Sequence, residues 1–163
     1  MSVRRSAAAL VVLLMSAAAP AQAPLTPAAR AAVAASVRAF AAEVATGVTR
    51  DGPTAWQRYF SGGPEFFMAV NGQLQFADGA AAARGIAALP ALIQHLRLSW
   101  GEDLRVDPLT ANLAMVAGSY REELHSPDGT QHQDRGFFSA LAERREGRWR
   151  FRDAHWSSQA AAP

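Results

Sequence analysis

The chain has a helical pattern of apolar positions from about residue 26 onward. One stripe recurs at three- and four-residue spacings, as expected for one face of a helix: Val33, Val37, Phe40, Val44 and Val48. Thr26 before Pro27 favours a helix start, because the hydroxyl can cap the helix and proline needs no N–H partner there. The pattern predicts a helix of about six turns that begins at Pro27 and ends near Gly47.

Shorter elements follow this helix. Trp56, Tyr59 and Phe60 share one face of a second, short helix, which the Ser-Gly-Gly-Pro run at 61–64 ends. Asn-Gly at 71–72 tolerates positive φ and therefore predicts a hairpin between strands 65–70 and 73–77. A third helix is predicted over 86–96, where Pro90 introduces a kink or marks the true start. Its inward side chains would be Ile86, Leu89, Leu92, Ile93 and Leu96.

The C-terminal half alternates in the manner of strands. Residues 98–109 predict a strand with a bulge or bend at 101–103. Long strands at 112–124 and 131–143 flank Pro-Asp-Gly, which fits a type I turn followed by a left-handed glycine. A last strand runs over 148–157. This order predicts an α+β fold, in which a strongly bent antiparallel sheet wraps around the N-terminal helices as a cone.

The N-terminus has the layout of a secretory signal peptide. Arg4 and Arg5 precede an apolar run at 7–15, and small residues follow. Cleavage is expected after Ala21 or Ala23, and an uncleaved anchor is the alternative. We therefore predict a signal peptide at 1–21, one domain at 26–158, a small-residue tail at 159–163, and a periplasmic or secreted protein that has no membrane segment after cleavage.

The composition argues against several classes of function. The chain has no cysteine, which excludes a disulfide scaffold and a thiolate metal site. Loss of Arg4 and Arg5 takes the formal charge from +2 to zero. No basic stripe with interleaved aromatic residues occurs, so nucleic acid is not an expected partner.

Several segments resemble the nuclear transport factor two-like (NTF2-like) superfamily, in its SnoaL-like branch of small secreted proteins. Besides the long first helix, the resemblance is carried by segments 51–56, 85–89, 117–120, 136–139 and 149–157, and it covers about 26–158. It implies the cystatin-like α+β barrel, a pocket inside the cone, and a homodimer formed through the open sheet face. The family's ketosteroid isomerases hold carboxylates in stretches that match 66–72 and 136–140, where this chain has none.

The last strand supplies the candidate catalytic pair. Period-two alternation places Trp149, Phe151, Asp153 and His155 on one side, so Asp153 and His155 are expected to point inward. An imidazole and a carboxylate at this spacing suit acid–base work. In the alternative, Asp153 satisfies a backbone amide or an arginine, and His155 bonds to a neighbouring polar group.

Aromatic and methionine side chains are candidates for the pocket wall, with simple core packing as the alternative. The predicted pocket residues are Trp56, Tyr59, Phe66, Met68, Trp100, Tyr120, Phe138 and Trp156. His125, His132 and Asp134 lie near one hairpin tip, but a metal site there is not expected because a tip offers little supporting structure. Glu122 and Glu123 are interpreted as solvated strand charges.

The sequence thus favours a pocket protein that binds a small apolar or amphipathic molecule and uses neither a cofactor nor a metal. One alternative is a cofactor-independent lyase, isomerase or hydrolase that uses Asp153 and His155. The other is a dimeric interaction module whose cone is filled by side chains.

Overall fold

The structure, a computed structural model, describes residues 24–159. Its helical elements are α1 (Pro27–Asp51), a 3₁₀ helix (Pro53–Arg58), α2 (Gly79–Ala88) and a 3₁₀ turn (Leu89–Ala91). The strands are β1 (Phe67–Val70), β2 (Gln73–Phe76), β3 (His95–Trp100), β4 (Arg105–Thr110), β5 (Leu113–His125), β6 (Gln131–Arg145) and β7 (Arg148–Ser158). The predicted signal peptide and residues 160–163 lie outside the described residues.

Helix α1 starts where the sequence predicts and runs one turn further. The Thr26 hydroxyl accepts a hydrogen bond from the Ala29 amide at 3.2 Å, and Gly52, with φ 79°, follows the last helical residue. The whole predicted stripe from Val33 to Val48 is buried. With a mean hydropathy of 1.3, the helix would also suit a membrane by length and composition, but its apolar stripe packs on the sheet.

The seven strands form one curved, unclosed sheet, which confirms the predicted α+β class. The strand order is β2-β1-β7-β6-β5-β3, and β4 also pairs with β5. Strands β3 and β4 lie end to end along the same edge of β5, because residues 101–104 bend the chain between them. All pairs are antiparallel except β1 with β7. We call the face that packs on α1 the inner face and the opposite face the outer face.

Both predicted hairpins are confirmed. Asn71 and Gly72 have φ values of 50° and 79°, as a type I′ turn between β1 and β2 requires. Between β5 and β6, Gly129 has φ 86° and its amide donates to the Ser126 carbonyl. This geometry fits the expected turn with a left-handed glycine.

The prediction of a helix at 86–96 is wrong in its position. Helix α2 begins seven residues earlier, because the Asp78 carboxylate caps it by accepting from the Ala81 amide at 2.6 Å. The helix ends before Pro90, which lies in the 3₁₀ turn. Consequently Leu92 is exposed, and Leu96 is a buried strand residue instead of a helical one.

Strand β7 has one residue without a partner where it pairs with β6. Leu141 of β6 lies opposite Asp153, whereas the next residue, Ala142, lies opposite Phe151. Arg152 is therefore the extra residue of a β-bulge. The Asp153 carboxylate accepts a hydrogen bond from the Leu141 amide at 3.0 Å across this bulge. The bulge reverses the alternation, so that Phe151, Ala154 and Trp156 are the buried residues of this strand.

The bulge hydrogen bond gives a prediction for stability. Asp153→Ala removes the acceptor and leaves the partly buried Leu141 amide unpaired, so it should lower the free energy of unfolding by about 1–2 kcal/mol. Asp153→Asn keeps an acceptor oxygen at the same place and should cost less than half as much. Urea unfolding of the two variants measures this difference. Equal losses in both would show that the carboxylate stabilises the fold in some other way.

Candidate functional site

A cavity of about 300 Å³ opens between the inner face of the sheet and the elements that cover it. Its covering wall is mostly apolar, with Gln75 of β2 as a polar member, and comes from the first 3₁₀ helix, the β1–β2 hairpin and α2 with the turn after it. This wall includes Trp56, Phe60, Met68, Val70, Phe76, Ile86, Leu89 and Ile93. The volume is at the lower end of the range of small-molecule sites in proteins.

Four polar side chains, the polar cluster, lie together on the sheet side of the cavity: Tyr120, Glu122, Asp134 and Ser158. The hydroxyls of Tyr120 and Ser158 each donate to Oδ2 of Asp134 at 2.8 Å. Oδ1 of the same carboxylate accepts from the Arg135 amide at 2.9 Å. Burial, together with the neighbouring carboxylate of Asp134, raises the pKa of the Tyr120 phenol, which keeps that group a hydrogen-bond donor.

The Glu122 carboxylate is in a different situation. It lines the cavity and lies opposite Asp134 in the pairing of β5 with β6. Within residues 24–159, no group forms a hydrogen bond or an ion pair with it, and the residue is partly buried, with some exposure to solvent. Burial, with the nearby charge of Asp134 as the smaller cause, raises the pKa of Glu122 to about 7.

Strand periodicity positions the cluster. Tyr120 and Glu122 follow Ala114, Val116 and Gly118 on the inner side of β5, where every second residue up to Tyr120 is buried. Tyr120 and Ser158 both lie opposite Gly136 of β6 in register. A side chain at Gly136 would collide with the backbone of Ser157 and Ser158, so the glycine allows the end of β7 to approach β6 closely. The β1–β2 hairpin holds the end of β7 in place, because Asn71 Oδ1 accepts a hydrogen bond from the Ser158 amide at 2.8 Å.

The predicted pocket residues divide into two groups. Trp56, Met68, Tyr120 and Trp156 line the cavity. The Trp156 ring contacts both Tyr120, at 4.6 Å between centroids, and Trp56, at 5.7 Å.

The other four predicted pocket residues pack behind the cavity and do not line it. Tyr59, Phe66 and Phe138 are fully buried in the core. Trp100 donates its indole N–H to the Ala41 carbonyl at 2.8 Å and stacks behind Trp156 at 6.0 Å. For these four residues the core alternative describes the observed packing.

Asp153 and His155 do not lie in the cavity. The bulge at Arg152 turns both to the outer face, where His155 is exposed and Asp153 is half-buried. The expectation that they point inward is therefore wrong, because it assumed unbroken alternation along β7. Asp153 instead satisfies a backbone amide, and burial raises the pKa of its carboxyl group.

Sequence reasoning missed Glu122 and Asp134. Glu122 was interpreted as a solvated charge, yet it lies on a strand that is paired on both sides. The alternation of side chains along each strand contained the signal. Glu122 comes two residues after the buried Tyr120, and Asp134 comes four residues before the buried Phe138, so each lies on the same side of its strand as that residue. Continuing the period of two would have placed both carboxylates inside.

The hairpin tip shows no metal-binding arrangement. The register places His125 opposite Gln131 and His132 opposite Leu124, so the two imidazoles are not paired. Among residues 24–159, no group of three histidine, aspartate or glutamate side chains is placed to hold a metal ion.

Comparison with solved structures identifies the fold. An NTF2-like superfamily protein from Salmonella enterica serovar Typhimurium superposes with a TM-score of 0.67 at 14% identity, over 82% of this chain and 95% of that one. A type 2 hexachlorocyclohexane dehydrochlorinase gives 0.62 at 14% identity, over 80% and 87%. A protein with a cystatin-like fold from Caulobacter vibrioides gives 0.58 at 17% identity, over 76% and 87%.

These similarities show that the chain has the NTF2-like fold, as its sequence segments indicated. No protein-family model and no curated protein matches the sequence. Because a shared fold does not determine activity, the function must be argued from the cavity.

The unpaired Glu122 gives a prediction for the pH dependence of stability. Its pKa is about 7 in the folded protein and 4.5 ordinarily. The folded state therefore binds this proton more tightly, and the stabilisation is fully present below pH 4.5 and is lost as the pH rises through about 7. Glu122→Gln cannot ionise, so its unfolding free energy should rise relative to the original protein, by up to about 3 kcal/mol between about pH 5 and 8.

Denaturant unfolding at several pH values measures this difference. Glu123→Gln is the matched control, because Glu123 is next in sequence but lies on the outer face beside Arg97, 3.8 Å away. A difference between Glu122→Gln and the original protein that stays constant with pH would contradict the raised pKa.

Proposed function

We propose that this protein binds a small amphipathic molecule in the cavity between the sheet and its covering helices. The observation that carries the proposal is the division of the cavity into two kinds of surface. Aromatic and aliphatic side chains form most of the wall, and four polar side chains meet at one place on it. An apolar body with one polar group matches this arrangement.

The alternative of a cone filled by side chains is less well supported. The core behind the cavity is tightly packed, with Phe66, Phe138 and Phe151 at 0% exposure. The space in front of it, about 300 Å³, is not filled by side chains.

Catalysis by Asp153 and His155 is not part of the proposal. Both residues lie on the outer face, away from the cavity. Binding should therefore be unaffected by His155→Ala, and it should survive Asp153→Asn.

Filling the cavity tests the proposal. Met68 lines the cavity, and Met115 lies on the outer face with 43% of its side chain exposed. Met68→Trp should occupy the binding space and weaken binding of an amphipathic probe by about tenfold or more, whereas Met115→Trp should leave it unchanged.

Titration of 2-phenylethanol and longer aryl alcohols, followed by tryptophan fluorescence or calorimetry, measures this effect. Thermal unfolding of each variant confirms that it is folded. Binding that is equally strong in both variants would place the ligand outside the cavity, and the absence of binding by the whole series would contradict the proposal.

We further propose that the protein acts in the periplasm or outside the cell. This follows from the charged, apolar and small-residue order of residues 1–23. An antibody against the mature domain should detect a chain shortened at Ala21 or Ala23 in the periplasmic or secreted fraction.

A second copy of the chain is the proposed partner of the outer face. Phe67, Leu141 and Met115 follow one another across β1, β6 and β5, separated only by Asp153 on β7. Phe137 lies on the same face, and it and Phe67 are 48% and 47% exposed. A face with large half-exposed apolar side chains on adjacent strands favours self-association.

Light scattering of purified variants tests the homodimer. Phe137→Glu places a charge on this face and should shift the protein from dimer to monomer. Leu92→Glu, at a leucine that is 67% exposed in the turn after α2, should leave the mass unchanged. A monomer in the original protein, or a dimer that Phe137→Glu does not weaken, would contradict this partner.

A further inference from the structure

The charges inside the cavity are of one sign. Glu122 and Asp134 are the acidic residues of the lining, and no arginine or histidine is among the described lining residues. The rest of the lining contributes no ionisable group besides Tyr120, which already donates to Asp134. Each element that faces Glu122 leaves it without a cation: β3 presents Leu98, β6 presents Asp134, and the covering wall presents apolar side chains and the uncharged Gln75.

We propose that the ligand is an organic cation, an amphipathic amine whose ammonium group lies between Glu122 and Asp134. This inference rests on the proposed binding function and names its ligand class. A partly buried carboxylate without a partner is unfavourable, and a cationic ligand would supply the missing charge and hydrogen-bond donors. Asp134 is already bonded to three donors, so Glu122 is the group with free acceptor capacity.

The aromatic wall suits the same class of ligand. Trp56 and Trp156 meet edge to face at 5.7 Å, and Trp156 meets Tyr120 in the same way at 4.6 Å. These rings line the same cavity as the polar cluster, and aromatic rings attract cations as well as apolar groups. An anionic ligand would face two carboxylates of the same sign, which disfavours it.

Proton release should accompany binding. A bound ammonium group favours the ionised form of Glu122, whose pKa is otherwise raised by burial. Amine binding therefore competes with the proton on Glu122, and affinity should fall as the pH is lowered from about 8 to 5.5. The amine itself stays protonated throughout this range, because amine pKa values lie near that of lysine.

Two probes of the same shape provide the test. 2-Phenylethylamine and 2-phenylethanol differ in one polar group, and calorimetry at about pH 8 measures both affinities. We expect the amine to bind about tenfold more tightly or better, as hydrogen bonds to charged groups are stronger than neutral ones. Repeating the amine titration at about pH 6, where Glu122 is mostly protonated before binding, in two buffers of different ionisation enthalpy should reveal the released proton.

Variants of Glu122 and Asp134 test whether these two carboxylates cause the preference for the amine over the alcohol. Glu122→Gln keeps the shape of the side chain and should remove most of the preference for the amine, together with the proton release. Asp134→Asn, a second variant, should weaken amine binding while leaving the alcohol bound. Glu123→Gln is the matched control on the outer face and should behave like the original protein.

The outcomes separate this inference from the proposed function. If both probes bind, Met68→Trp blocks both, and the amine has no advantage, the ligand is not a cation but the binding function stands. An amine preference that persists in Glu122→Gln and Asp134→Asn would also overturn the inference, because the charge would be recognised elsewhere. If neither probe binds, and longer amines and alcohols also fail, the binding function itself is contradicted.

Discussion

The extra residue in β7 decides which side chains reach the cavity. Before Arg152 the strand places Phe151 in the core beside Phe40, with ring centroids 4.9 Å apart. After Arg152 it places Ala154 and Trp156 inward, and Trp156 becomes the central ring of the cavity wall. Without the bulge, the second half of the strand would present a carboxylate and an imidazole to an apolar interior. The hydrogen bond from the Leu141 amide to Asp153 holds this reversal in place.

Local signals in the sequence were sufficient for much of the fold. Thr26-Pro27, Asn71-Gly72 and Asp128-Gly129 each constrain φ or satisfy a backbone amide without help from distant residues, and each lies where predicted. The helix at 79–88 was misplaced because its apolar residues continue into the turn and β3. Periodicity alone does not show where a helix ends when the following turn and strand continue its apolar run. Recognising Asp78 as a helix cap would have marked the true start of the helix.

The site was harder to predict because two expectations about polar residues failed in opposite directions. Asp153 and His155 were expected inside because alternation was extended through a bulge, which depends on the pairing partner and has no clear local signal. Glu122 was expected outside because it is charged, although unbroken alternation along β5 places it inside. On β5, the charge of a side chain predicted its position less well than the alternation did. On β7, the alternation was misleading because of the bulge.

The placement of Glu122 has an energetic consequence that links stability to binding. A partly buried carboxylate without a partner destabilises the folded state once it ionises. An alanine or leucine at this position would avoid that cost, and the chain's other inner-face residues on β5 are of that apolar kind up to Tyr120. A group that is unfavourable in the free protein becomes favourable when a ligand supplies its partner. The free energy that the unpaired carboxylate costs in the free protein is recovered when a ligand binds. Only a ligand that carries the complementary charge recovers it, so this term favours such ligands over others.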